Sequence, residues 1–353
     1  MNTESLVIRP GDSADDERRD RYVAAHPQGT FFHLSGWRRV IERVMGHRGA
    51  DLCAWRGDEL VGVFPLMRSV RLLGAPSLLS MPYAVYGGPL GDTDEIQRAL
   101  FDAAERKALE EKVGRLEMRF LHEPGEAFAS AQLEASQLYY TFICELPDTP
   151  EGVAAAMPKK ARAEARKARK RHGLELSEGN WYIEDLVRMF HRNKHSLGSP
   201  ALPMKLFQAF LEEFGDRVRV HLVRRGSQPL AAVMSFLFED TLLAYYSGTA
   251  VGADREYSAS NFMYMALQEW SVENGFRHFD FGRSRADAGA FKFKQHQGFT
   301  ARPLPYRYRL VKDEHLPSLN PSNPKTRILQ SVWSRMPLKL ATGLSSTLSR
   351  YLP

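Results

Sequence analysis

Apolar positions recur along this chain with two spacings, and the changes from one to the other mark its elements. After Ser35, the residues Trp37, Val40, Ile41 and Val44 fall on one face of a 3.6-residue repeat, which predicts a helix. Apolar runs at 52–55 and 60–67 flank Arg56-Gly57-Asp58-Glu59, the pattern of a β-hairpin. Pro82-Tyr83-Ala84-Val85-Tyr86-Gly87-Gly88-Pro89 is a loop rich in aromatics and glycine. Asp92 or Thr93 then caps a long helix running to about Val113, and 116–121 and 138–146 read as strands. Pro147 and Pro150 bracket the expected boundary between two halves.

The second half repeats the mixture. Residues 154–172 are strong helix formers that stop at Gly173. Segments 181–197 and 204–214 read as helices. Segments 218–223, 230–238 and 242–248 read as an antiparallel meander turning at Arg225-Gly226-Ser227-Gln228 and Glu239-Asp240. A helix over 258–274, a strand over 277–281, a short helix carrying Phe293-Lys294 and a strand over 304–310 complete this half. That order predicts an α+β sandwich of the N-acetyltransferase kind. In the tail, Ile328, Leu329, Val332, Trp333 and Met336 form one helical stripe, and Leu340, Leu344 and Leu348 another.

Composition adds little until charge is located. The chain has 353 residues, 43% hydrophobic and 25% charged, which suits two ordinary domains. Its two cysteines, Cys53 and Cys144, show no ligand or disulfide spacing. The start lacks the pattern of a secretory signal, and no apolar run is long enough to span a bilayer, so a cytoplasmic protein is expected. The net charge of +6 is uneven. Residues 159–171 carry +7 and residues 322–353 carry +5, leaving the remainder net acidic. Such basic segments attract phosphates, nucleic acid or anionic membrane.

Candidate chemistry concentrates at 276–308. The strand Phe279-Asp280-Phe281 ends in Gly282-Arg283-Ser284-Arg285, and Phe293-Lys294 follows, with Gly298 beyond. A strand that stops at glycine and presents several cations suits an anion or a polar ester. Asp280 reads as a turn cap, a partner of Arg283 or a group that shapes the site. His191 and His195 sit four apart on a helix, but no third ligand is in view, so no metal is expected.

The chain resembles the FemAB-type acyltransferases, most closely the subgroup associated with PEP-CTERM/exosortase systems and exopolysaccharide clusters. The matching residues are Tyr83-Ala84-Val85-Tyr86-Gly87-Gly88, Lys160-Ala161-Arg162 with Arg166-Lys167, and Leu197-Gly198-Ser199-Pro200. They continue with Asp280-Phe281-Gly282-Arg283-Ser284, residues 289–298, Leu304-Pro305-Tyr306 and Asn320-Pro321-Ser322-Asn323-Pro324-Lys325. The resemblance implies two tandem GNAT-like domains with mixed sheets flanked by helices. They would span 1–147 and 174–312, joined by a basic linking helix at 148–173, with a helical tail at 313–353.

It also implies an acyltransferase that makes an amide bond on a cell-envelope or exopolysaccharide precursor. Lys294 and Phe293 would be catalytic at the acyl-donor channel. Arg162, Arg166, Lys167, Arg283, Ser284, Arg285, Tyr83 and Tyr86 would bind substrate. The donor would be an aminoacyl-tRNA or an acyl thioester, with no cofactor or metal, and the acceptor a phosphate-bearing precursor. Acetyl-CoA is disfavoured. The usual Arg/Gln-x-x-Gly-x-Gly/Ala phosphate loop would correspond here to Arg255-Glu256-Tyr257-Ser258-Ala259-Ser260, with both glycines replaced. Two alternatives stand beside this. One is a non-catalytic envelope-assembly scaffold that binds glycolipid or membrane. The other is an acetyl-CoA-dependent N-acetyltransferase. The tail would dock on the first domain or on the inner face of the membrane through 322–353.

Overall fold

The computed structural model describes residues 4–316 and 324–352. Residues 320–323 of the Asn-Pro-Ser-Asn-Pro-Lys motif, and the side chains of Lys325 and Arg327, lie outside the described residues. The chain divides into two compact units: Met1–Leu138, Pro303–Leu319 and Arg350–Pro353 form the first, Tyr139–Arg302 and Asn320–Ser349 the second.

The first unit holds two sheets. One is antiparallel, in the order Leu6–Pro10, Leu52–Arg56, Glu59–Phe64, Leu90–Gly91, and its central pair is the hairpin expected around Gly57. The other runs Arg48–Gly49, Met67–Ser69, Ser77–Leu79, Arg115–Arg119, Tyr306–Leu310, Glu134–Ser136. The helix Asp94–Glu110 begins where the Thr93 hydroxyl accepts a hydrogen bond from the Ile96 amide. It buries Ile96, Leu100, Phe101 and Ala104 among Phe64, Leu78, Leu116 and Met118. Burying each large apolar side chain contributes roughly 1.5–3 kcal/mol.

One expectation is overturned here. The strand Tyr306–Leu310, expected to complete the second half, pairs with Arg115–Arg119 and Glu134–Ser136 of the first unit. The hydrophobic pattern specifies a strand, but pairing is a tertiary choice. Tyr306 and Tyr308 bury one face while Arg307 and Arg309 reach Glu123 and Glu105.

The second unit is built on a six-stranded sheet in the order Ile143–Glu145, His278–Asp280, Thr241–Thr249, Gln228–Phe238, Val218–Arg225, Glu175–Glu178. The meander is as expected. Segment 138–146 is not one strand: Tyr139–Thr141 pairs with Ser284–Arg285, and Ile143–Glu145 pairs with His278–Asp280. Phe142 between them is fully buried.

The basic segment also differs. Pro158 divides it into helices Pro150–Ala156 and Lys159–His172, because the residue before a proline is pushed to extended backbone. The second of these is not a free linker. Ala161, Ala165 and Ala168, at i, i+4 and i+7, are buried in the core of the second unit beside the helix Ala259–Glu273. Alanine allows that close approach while the cations stay outside.

The tail helices Pro324–Arg335 and Leu338–Leu348 pack on helix Ile183–Ser196 within the second unit, while Arg350–Pro353 belongs to the first. Met336 O accepts a hydrogen bond from His195 Nε2 at 2.8 Å, and Ser345 Oγ accepts one from the Ala201 amide at 3.1 Å. No described helix is long and apolar enough to cross a membrane.

Candidate functional site

The sheet of the second unit is antiparallel except where Thr241–Thr249 meets His278–Asp280. These two strands pair over only three positions, Thr241 with His278 to Leu243 with Asp280. Beyond Leu243 the longer strand continues to Thr249, while the shorter one ends at Asp280. From the helix Ala259–Glu273, the Tyr264 ring lies 4.0 Å from that of Phe281, and its hydroxyl donates to Ser247 Oγ at 3.1 Å.

The turn that follows Asp280 is fixed by sequence. Gly282 sits at φ +64°, a left-handed conformation that glycine adopts without penalty. The buried Asp280 carboxylate accepts a hydrogen bond from the Gly282 amide at 2.7 Å, as an Asx-type turn requires. The carbonyls of Gly282 and Arg283 then both accept from Lys294 Nζ, at 2.9 and 3.1 Å.

Lys294 sits on the helix Gly289–His296 and is only 7% exposed. Its Nζ lies 5.2 Å from the Phe142 ring centroid and 5.1 Å from that of Phe281. It makes no ion pair among the described residues. Burial penalises the ammonium and brings its pKa down to about 7, while the Asp280 charge opposes the fall. An ammonium has three donors, and two are taken by the turn. One remains for an incoming oxygen.

The other expected residues divide. Phe293 packs at 5.8 Å from Tyr264 and 6.2 Å from Phe281, so it belongs to the aromatic wall behind Lys294. The guanidinium of Arg283 lies 4.5 Å from the Tyr139 ring centroid. Ser284 is buried, and its hydroxyl has no hydrogen-bond partner among the described residues. Lys294 and Phe293 share one helix, and Lys294 reaches the backbone of Arg283, the residue before Ser284. Arg285 points elsewhere chemically: its guanidinium holds Asp287 through bonds of 3.1 and 2.9 Å.

On the basic helix, Arg162 is half-buried and reaches the carbonyls of Ala154 and Ala155, at 3.4 and 3.5 Å. It closes the end of the preceding helix rather than offering a cation outward. Arg166 and Lys167 are exposed and have no ion-pair partner among the described residues. Tyr83 and Tyr86 belong to the first unit and are buried there. The Tyr83 hydroxyl bonds His47 Nε2 at 3.0 Å, and Tyr86 packs edge-on against Phe32. Tyr86 also lines a cavity of about 150 Å³ with His33, Gly88 and Phe120. His191 and His195 are both engaged by backbone carbonyls, of Leu202 and Met336.

One residue had no signal in the sequence. Lys194, inside helix Ile183–Ser196, has its pKa lowered by burial first and by the Arg283 charge second. Only the fold places these cations near each other.

The helix Ala259–Glu273 starts with carboxylates at its positive end. Asp254 Oδ1 accepts from the Ser260 amide at 2.7 Å and Oδ2 from its hydroxyl at 2.9 Å. Ser258, at φ +55°, donates its hydroxyl to Glu164 Oε2 at 2.6 Å.

Residues 155–295 match the acetyltransferase (GNAT) domain family. The second unit carries an acyltransferase domain of the GNAT type. Comparison with curated protein sequences gave no match. Among solved structures, FemX is similar with a TM-score of 0.68 and 13% identity, over 87% of this chain and 98% of FemX. A tandem GNAT protein from the clavulanic acid biosynthesis pathway is similar with a TM-score of 0.53 and 14% identity, over 89% and 100% of the two chains. The C-terminal domain of a protein described as a lysylphosphatidylglycerol synthetase, from Agrobacterium fabrum, gives 0.53 and 14% over 84% and 92%. At such identities these likenesses establish the fold, a tandem GNAT-like α+β architecture.

Proposed function

We propose that this chain is an acyl or aminoacyl transferase that forms an amide bond on a cell-envelope or exopolysaccharide precursor at the cytoplasmic side. The subgroup resemblance and the fold shared with FemX support that reading. The observation that carries it is Lys294, a buried ammonium fixed on the Gly282 and Arg283 carbonyls in the turn that ends the strand His278–Asp280. The neutral amine of the acceptor adds to the carbonyl carbon of the donor ester or thioester. The new C–N bond forms as the carbonyl electron pair moves to oxygen, and the remaining donor of Lys294 stabilises that oxyanion. Collapse breaks the bond to the leaving oxygen or sulfur, which takes up the proton lost by the amine. No acyl-enzyme is needed, because holding both substrates together supplies the advantage.

Arg283, Lys194 and the hydroxyl of Ser284 supply polar contacts beside the turn. Arg166 and Lys167 offer the exposed cations for phosphates of a tRNA acceptor arm or a precursor, an interaction that weakens steeply with salt. An acetyl-CoA-dependent N-acetyltransferase is the alternative. Against it stand Asp254 and Glu164, whose carboxylates occupy the start of the helix that a diphosphate would approach.

The test is a donor panel of charged tRNA, acyl thioesters and acetyl-CoA with extracted envelope precursors, read by mass spectrometry for amide products. The expected donor is not acetyl-CoA, and Lys294→Ala should lower its turnover ~100-fold or more. Undiminished turnover in that variant overturns the assignment.

A further inference from the structure

The two tail helices leave an apolar face uncovered. Ile328, Leu329, Val332, Leu340 and Leu344 are 64%, 70%, 57%, 61% and 48% exposed. They recur at helical spacing, at 328, 329 and 332 on the first tail helix and at 340 and 344 on the second. On the second helix the opposite face is already used, with Ala341 and Ser345 buried and Ser345 bonded to Ala201; the first helix is anchored just past its end, where Met336 O accepts from His195. The exposed leucines are therefore not the docking side of loosely placed helices.

Charge identifies the occupant. No acidic residue lies between 322 and 353, and the segment carries +5. Arg335 and Lys339 stand exposed on either side of the junction between the helices. A protein partner that covered leucines alone would not require this uncompensated charge. A lamellar surface of acyl chains beneath anionic headgroups meets both features: apolar side chains enter the headgroup boundary while the cations stay with the phosphates. Neither helix is long enough to span the bilayer, so the geometry is that of a surface contact.

We propose that the faces Ile328–Leu329–Val332 and Leu340–Leu344 form a docking surface for an anionic membrane. This contact is independent of the acyl-transfer chemistry and would hold even if that chemistry were misassigned.

The test uses the full chain and vesicles of phosphatidylcholine with and without phosphatidylglycerol, read by co-sedimentation. Binding is expected only with phosphatidylglycerol. The exposed variant Leu329→Ser, Leu340→Ser, Leu344→Ser should lose roughly tenfold or more in partitioning, with an unchanged circular dichroism spectrum. Arg335→Glu with Lys339→Glu should abolish the preference for phosphatidylglycerol. Equal binding to both vesicle types overturns the electrostatic part, and unaltered binding by the leucine variant overturns the whole. So does light scattering that shows a dimer of the native chain dispersed by the leucine changes, since a second copy would then be the occupant.

Discussion

Two turns in this protein draw their carbonyls onto a buried cation, and they do so differently. In the first unit, Arg119 donates to the carbonyls of Met81 and Ala84, at 3.2 and 2.8 Å, and its Nε bonds the buried Glu117 at 2.8 Å. Around it, Trp37 Nε1 donates to Pro82 O and the Tyr306 hydroxyl to Val85 O. In the second unit, Lys294 holds Gly282 and Arg283 with no carboxylate in ion-pair contact among the described residues. A guanidinium does not lose its proton in a protein, and paired with Glu117 it is a permanent brace. A lysine without such a partner is a cation held at the edge of losing its charge. The contrast separates architecture from chemistry more sharply than burial does, since both residues are buried.

The largest effect should come from breaking the brace. Arg119→Met leaves the buried Glu117 with only its longer contact to Arg115, at 3.6 Å, and frees the carbonyls of Met81 and Ala84, so chemical denaturation should show a loss of ~3 kcal/mol. Lys294→Ala should instead shift the unfolding transition by less than Arg119→Met does while turnover falls ~100-fold or more. If the two variants exchanged these behaviours, the comparison would be reversed.

A smaller effect separates them by pH. The folded pKa of Lys294, about 7, lies below its ordinary value of 10.5. Between those values the unfolded chain binds more protons, so native stability rises with pH across that window. Below pH 7 both states are protonated and the full cost of burying the ammonium is felt. Lys294→Met removes the titration. Its stability relative to the native chain should be highest below pH 7 and decline toward pH 10, by an amount on the order of a few kcal/mol. Parallel curves across that range would refute the buried-cation description.

How far the sequence carried can be judged from particular elements. The meander, the helix after Ser35 and the hairpin at Gly57 were legible because their patterns are local, and Gly57 and Gly226 mark two of the turns. The strand Tyr306–Leu310 was legible as a strand but not in its pairing, which depends on residues some two hundred positions away. The break at Pro158 had a local signal, outweighed by the helix formers around it. The alanine stripe of the basic helix was hidden by its charges, although its spacing was visible. Phe293, Lys294, Arg283 and Ser284 came from a motif; the fold sets Lys294 Nζ on the Arg283 carbonyl and Phe293 near Phe281, while the Arg283 guanidinium lies over Tyr139. Arg162 and Arg285 carried the same charge in the sequence, but their partners, Ala154, Ala155 and Asp287, turn them inward to the protein's own chain. Lys194 could not have been found, because nothing in its neighbourhood of sequence reports that Arg283 lies close.

The central claim is that Lys294 is a cation poised to titrate near neutrality. Nuclear magnetic resonance of the lysine ε-ammonium groups across pH, with Lys294 assigned by its loss in Lys294→Ala, measures this directly. The account expects one lysine with a midpoint near 7 that disappears in the variant. A midpoint for Lys294 at its ordinary value of 10.5 would contradict it.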